Sequence, residues 1–214
     1  MQKVKVSNQS AEKSKSKVTF HSATTHILNV IHNKINYLKI KELSKEIKDL
    51  LEEFDAPQRL IKHLTIVNST AFYIVEQLKT EWPNLVLNKK EILFGASTHD
   101  IGKAVITDEL YKKGKKHESE GFKILKELGY NDKESRFTIT HGNWENSNLL
   151  IEDLIVCLSD KIWKGKRIND LEERITTNIS ELTKTDFWDV SVKLELILEK
   201  IAVGSDDRIA WQGI

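Results

Sequence analysis

The sequence predicts an all-α protein on three observations. Apolar residues recur at spacings of three and four rather than two, only 2 prolines and 9 glycines interrupt 214 residues, and capping residues precede the apolar runs. Residues 1–20 carry lysines and few large apolar side chains, the composition of a mobile basic tail. Residues 21–54 are expected to form two N-terminal helices, over His21–Ile40 and Lys41–Phe54. Asp55 is expected to cap a long helix to about Trp82, with Leu60, Leu64, Val67, Ala71, Val75 and Leu78 along one stripe. Asn88 and Glu91 stand in capping-box spacing ahead of a helix over Lys89–Lys103. A helix over Lys115–Leu128 stops at Gly129, a shorter one holds "KESRFTITHGNW", and a strongly apolar one spans Leu149–Lys164. Residues 55–167 thus read as the central domain, and residues 168–214 as two more amphipathic helices and a short tail, "VGSDDRIAWQGI".

Composition narrows the function. With 30% charged residues and no apolar run long enough to cross a bilayer, the chain is expected to be soluble and to have no membrane partner. No charged leader with an apolar core opens it, so the expected location is the cytoplasm. The net charge is +1, yet residues 1–17 hold five lysines against Glu12 alone, leaving the remainder slightly acidic. That balance disfavours nucleic acid as a partner and sets no oligomeric state. Cys157 is the single cysteine, so an internal disulfide and multi-cysteine zinc sites are excluded, and any metal must be held by histidine and carboxylate.

One stretch demands explanation. "STHDIGKA" places His99 beside Asp100 in a buried-looking apolar helix, where unpartnered polar groups cost several kcal/mol, roughly 2–7 for each neutral group. His63, His117, His141 and Asp160 are further candidates, so six side chains come from five expected helices. Singly, His63 or His141 reads as a hydrogen-bonded core imidazole, and Asp160 as an ion-pair partner. Adjacent residues on a helix point about 100° apart, yet two such arms can converge on one ion off the helix surface. A divalent cation would turn these buried polar groups into ligands.

The order H…HD…H…H…D, carried by "RLIKHLTIVNSTA", "STHDIGKA", "KKHESEGFKILKELGY", "TITHGNW" and "IVCLSDKIW", resembles the HD-domain superfamily of metal-dependent phosphohydrolases. The resemblance spans about Gln58–Arg167 and implies a helical bundle with added N- and C-terminal helices. It implies that His63, His99, Asp100 and Asp160 hold a first divalent ion. His117 and His141 would complete a second site bridged by Asp100 or contact phosphate. One or two ions are implied, from among Mn, Fe, Co, Ni, Mg and Zn. "HGNWENSN" lacks the adjacent histidine and the Gly-Tyr-Pro signature of the cyclic-dinucleotide branch.

Four nearby residues are read from spacing. Gly121, four after His117, is expected to leave room for an ion or phosphate beside the imidazole. Lys103 follows Asp100 by three and can reach the same region as a catalytic or substrate-binding cation, or else serve the helix C-terminus. If the last helix continues past Gly165, Asp160, Lys164 and Arg167 share a face, and Lys164 and Arg167 can bind substrate phosphates; a solvated helix end is the alternative.

The expected chemistry follows from magnitudes. A bound metal lowers the pKa of water from 15.7 to roughly 7, about 12 kcal/mol, whereas a general acid or base supplies roughly 3–5 kcal/mol. The reading is hydrolysis of a phosphomonoester or phosphodiester, a nucleotide by expectation, with Asp100 orienting water. A di-iron oxygenase has the same six-ligand order, and a catalytically silent nucleotide-sensing module keeps the same fold; both remain open on sequence.

Overall fold

The computed structural model describes residues 38–213. The expected tail and first helix therefore lie outside the described residues, apart from 38–40, which are not helical. All regular structure among the described residues is helical. The helices are α1 (Lys45–Glu53), α2 (Gln58–Glu81), α3 (Lys89–Thr98), α4 (Lys116–Glu127), α5 (Asp132–Ser135), α6 (Phe137–Thr140), α7 (Ile151–Ile162), α8 (Asn169–Thr183), α9 (Phe187–Ala202) and α10 (Ser205–Gly213). Two 3-10 turns, Ile101–Ala104 and Thr107–Leu110, join α3 to α4.

Local chemistry sets most boundaries. Ser44 caps α1, its hydroxyl accepting from Ile47 N at 3.3 Å, so that helix starts later than expected. Asp55 does not cap α2: it adopts φ 46, and the helix begins after Pro57, whose carbonyl accepts from the Leu60 and Ile61 amides. Proline explains the shift, because it suits a helix start and denies Ala56 before it the α region. Asn88 caps α3 as expected, accepting from Glu91 N at 3.2 Å, and Gly129 ends α4 at φ +88. The shorter helix expected over 133–144 is two single turns, α5 and α6, divided at Arg136. The expected C-terminal tail is largely helical, forming α10.

The central layer is α2 packed against α3 and α7, with α8 and α9 covering α7 and α10 lying on α2. Two apolar clusters result. One gathers Val67, Ala71, Ile74, Ala96, Phe137, Cys157 and the inner faces of α8 and α9; the other gathers Leu50, Leu51, Leu60, Leu64, Ile101, Ala104 and Leu125. Burial of side chains of this size stabilises by about 1.5–3 kcal/mol each. His99 and Asp100 fall between Ala96 of the first cluster and Ile101 of the second. The polar residues lie where the two apolar clusters meet.

Two glycines set how closely elements approach that seam. A Cβ on Gly95 would lie 2.4 Å from Phe137 Cγ, so the ring sits on the bare helix backbone of α3. Gly95 precedes His99 by four residues and Phe137 precedes His141 by four, so this contact brings the two imidazoles side by side, with centroids 4.9 Å apart. A Cβ on Gly102 would lie 2.0 Å from the His117 carbonyl oxygen, which presses α4 onto the first 3-10 turn. Gly121 is part of the same crossing. The space beside it is filled by Gly102 N, the Thr138 methyl and the Ile101 side chain, not left for an ion or phosphate. Gly95→Ala is expected to destabilise the protein by about 1–3 kcal/mol through overpacking. Denaturant unfolding at neutral pH measures it, and a variant as stable as the parent would show that the ring has room to move.

Candidate metal centre

His99 and Asp100 do not continue the α3 helix, contrary to the expected Lys89–Lys103 span. The helix ends at Thr98, and Asp100 takes φ −108, ψ 12 before the 3-10 turn begins. This change of backbone turns both side chains toward α2, α4, α6 and α7. His63 comes from the second turn of α2, His117 from the first turn of α4, His141 from the C-cap of α6 and Asp160 from the last turn of α7. All six candidates are buried, His99 completely.

The six form two groups. Ligand-type atoms of His63, His99 and Asp160 lie within 4.8 Å of one another, as do those of Asp100, His117 and His141. His63 Nε2 is 3.2 Å from His99 Nε2 and 3.3 Å from Asp160 Oδ1. Asp100 stands between the groups. Its Oδ2 is 3.2 Å from His63 Nε2 and 3.6 Å from His99 Nε2, and its Oδ1 is 3.1 Å from His117 Nε2 and 3.4 Å from His141 Nε2.

Neighbouring acceptors fix the tautomers. His99 Nδ1 is 3.1 Å from the Ala96 carbonyl oxygen and His141 Nδ1 is 3.0 Å from that of Phe137. A carbonyl only accepts, so each Nδ1 carries the proton and donates it, leaving an Nε2 lone pair aimed inward in the neutral ring. Glu109 does the same for His117, accepting from Nδ1 at 2.5 Å. Its carboxylate also accepts from the Lys116 and His117 amides at 3.2 and 3.1 Å, satisfying first-turn donors of α4. Buried Asp100 Oδ1 and His117 Nε2 face each other at 3.1 Å outside hydrogen-bond geometry, and neither has a hydrogen-bond partner within the protein. Converging imidazole lone pairs, two carboxylates and two buried polar atoms without partners fit a divalent cation.

The turn that ends in His141 is held by a further buried carboxylate. Asp153 accepts from Arg136 Nε at 2.9 and 3.1 Å, from Thr140 Oγ1 at 2.9 Å and from Leu150 N at 3.1 Å, and Arg136 also pairs with Glu91. A one-turn helix has little stability of its own, so these bonds pin α6 to α7 and α3.

Cations surround the carboxylates. Lys103 Nζ is 2.7 Å from Asp100 Oδ2, Lys161 Nζ is 2.5 Å from Asp160 Oδ2, and Lys164 Nζ is 4.0 Å from Asp160 Oδ1. Arg167 lies elsewhere. Helix α7 ends at Ile162 and Gly165 takes φ +74, so the helical face expected to join Asp160, Lys164 and Arg167 is broken. The Arg167 guanidinium is held by Glu172 at 2.6 Å and Glu195 at 2.5 Å, which satisfies it away from the cluster. Glu109, Asp153 and Lys161 were not legible in the sequence. Glu109 acts across a loop, Asp153 resembles a helix-start acid, and Lys161 is adjacent to Asp160, a spacing at which helical side chains do not face each other.

The electrostatics follow from burial and pairing. Burial pushes the His99 imidazole down to about 3, outweighing attraction from Asp100 and Asp160. Burial alone would raise Asp100 and Asp160, but the imidazoles around Asp100 and the Lys161 and Lys164 ammoniums beside Asp160 hold both below the ordinary carboxylate range. Burial opposes protonation of His117, yet the Asp100 and Glu109 carboxylates keep it above its ordinary value.

Residues 60–164 match the HD domain family, a segment containing all six candidate ligands. No curated protein and no solved structure matches the chain.

Two outcomes are expected. The folded His99 value lies below the unfolded one of roughly 6.5, so the unfolded chain takes up the proton first and metal-free protein loses stability as pH falls from about 6.5 toward 3. In His99→Gln the slope of unfolding free energy against pH across this window should be shallower by up to ~1.4 kcal/mol per pH unit. Unchanged slopes would mean that His99 is protonated in the fold. Glu109→Gln should weaken metal binding by roughly 10–100-fold, as loss of an orienting carboxylate does. Titration calorimetry with Mn²⁺ reads this, and parent-like affinity would remove Glu109 from the site.

Proposed function

Because residues 60–164 of this chain are an HD domain, we propose that the protein is a metal-dependent phosphohydrolase acting on a phosphate ester of a small molecule, a nucleotide by preference. The observation that carries this reading is the division of Asp100 between the two groups, Oδ2 toward His63 and His99, Oδ1 toward His117 and His141. A carboxylate placed so can serve both halves of a two-ion centre. His63, His99, Asp100 and Asp160 would hold one ion, and Asp100, His117 and His141 the other. Imidazole nitrogen and carboxylate oxygen suit Mn, Fe, Co, Ni or Zn, and the carboxylates suit Mg. When bound, such ions acidify water and polarise phosphoryl oxygens, the largest contribution available to ester hydrolysis.

The side chains do the rest. Asp100, held ionised, orients the attacking water through whichever lone pairs remain free. Water adds to phosphorus, the P–O bond to the leaving group breaks, and the leaving oxygen takes a proton. A monoester thus yields an alcohol and orthophosphate. Lys103, whose ammonium stands 2.7 Å from Asp100, would steady a non-bridging phosphoryl oxygen or protonate the leaving oxygen. Burial of the cluster keeps bulk water from screening these charges.

Asp100→Ala is expected to abolish phosphate release and most metal binding. Elemental analysis of the purified protein, paired with a screen of nucleotides in Mn²⁺, Co²⁺ and Mg²⁺, tests both. Full turnover by the variant would sink the assignment, and dioxygen consumption with no phosphate release by the parent would move the reading to an oxygenase.

A further inference from the structure

Two lysines on the Asp160 side have no task in the hydrolytic step. Lys161 and Lys164 place their ammoniums 2.5 and 4.0 Å from Asp160 oxygens, while Lys103 stands apart on Asp100. Their side chains retain 19% and 36% exposure against 20% for Lys103, so all three reach solvent from a largely buried setting. Lys161 contacts Oδ2 of Asp160, whereas Oδ1 faces His63 and His99. The lysine can therefore keep its carboxylate bond while Oδ1 serves as a ligand, and a three-donor ammonium still has N–H groups to give.

Charge decides what those groups are for. Asp100, Asp160 and Glu109 balance Lys103, Lys161 and Lys164, and the imidazoles count as neutral when they act as ligands. Each divalent ion then adds an uncompensated charge of two. One dianionic phosphate offsets one ion but falls short of two, and in a poorly screened site that excess favours a more highly charged ligand.

We propose that Lys161 and Lys164 form a subsite for a second phosphate group linked to the one at the metal centre, so that the protein selects ligands carrying at least two linked phosphates. This rests on the two-ion hydrolase reading for its charge count. Lys161 is fixed by the last turn of α7, and Lys164, just beyond the helix end, lies 5.5 Å from the buried Trp163 ring. The lysines discriminate by charge and position, and the rest of the ligand is not constrained by them.

The test compares imidodiphosphate, a diphosphate with a P–N–P bridge, with orthophosphate on the Mn²⁺-loaded full chain, using titration calorimetry in excess metal and Trp fluorescence as a second readout. The parent should bind the diphosphate about tenfold or more tightly than orthophosphate, the scale of one charge-assisted hydrogen bond. Lys161→Met and Lys164→Met should each bring that ratio toward one, and Lys161→Arg should retain it. Lys164 is the more exposed, so its variant keeps the test decisive if Lys161→Met fails to fold. Absence of a diphosphate preference in the parent, or a preference that folded lysine variants keep, overturns the subsite. A parent that shows the lysine-dependent preference yet hydrolyses no phosphate ester supports the subsite and sinks the hydrolase reading instead. Hydrolysis of esters without that preference does the reverse.

Discussion

Everything around the centre depends on one constraint: Asp100 is a buried carboxylate that must be compensated from several elements at once. Burial works against its charge, and no single helix could supply enough partners. Imidazoles from α2, α4 and α6 approach it, together with its neighbour His99 and the Lys103 ammonium. Close helix approach is thus a condition of the site, which explains why Gly95 and Gly102 leave no room for a Cβ. The same constraint locates the site at the seam between the two apolar clusters. Deeper in either cluster the carboxylate would lack partners, and at the surface water would screen them.

The supporting carboxylates perform a second kind of work. Glu109 orients His117 and satisfies the first amides of α4; Asp153 accepts from a side chain, a hydroxyl and an amide to hold the turn that ends in His141. Glu109 thus serves a helix end and an imidazole at once, whereas Asp153 serves the start of α7 and the turn that precedes His141. Preorganisation of this kind reduces the ordering a ligand must impose when it binds.

Much of the fold was legible. Periodicity gave the helices, and Asn88 and Gly129 marked ends that the structure retains. The order of histidines and aspartates indicated which distant segments belong together through its resemblance to the HD domain, which local propensity does not supply. Misreadings cluster where local signals compete. Asp55 had the residue type of a cap, but Pro57 overruled it through backbone restriction. Lys164 keeps its predicted approach to Asp160, but Arg167 fitted the same helical repeat only until Gly165 ended it, and Gly121 looked like a gap because a sequence does not display the element that fills it. Glu109, Asp153 and Lys161 act across turns or between neighbours, where no periodic spacing applies.

The dependence of His141 on Asp153 has a consequence for biosynthesis. As the chain emerges from N- to C-terminus, Asp100, His117 and His141 are all present before α7 is made, yet the anchor for His141 and the last ligand-type aspartate both belong to α7. A nascent polypeptide stalled ahead of that helix would lack both Asp153, which holds Thr140 in the turn before His141, and Asp160, while Glu109 could still orient His117. The group of His63, His99 and Asp160 therefore stays incomplete until α7 has been made.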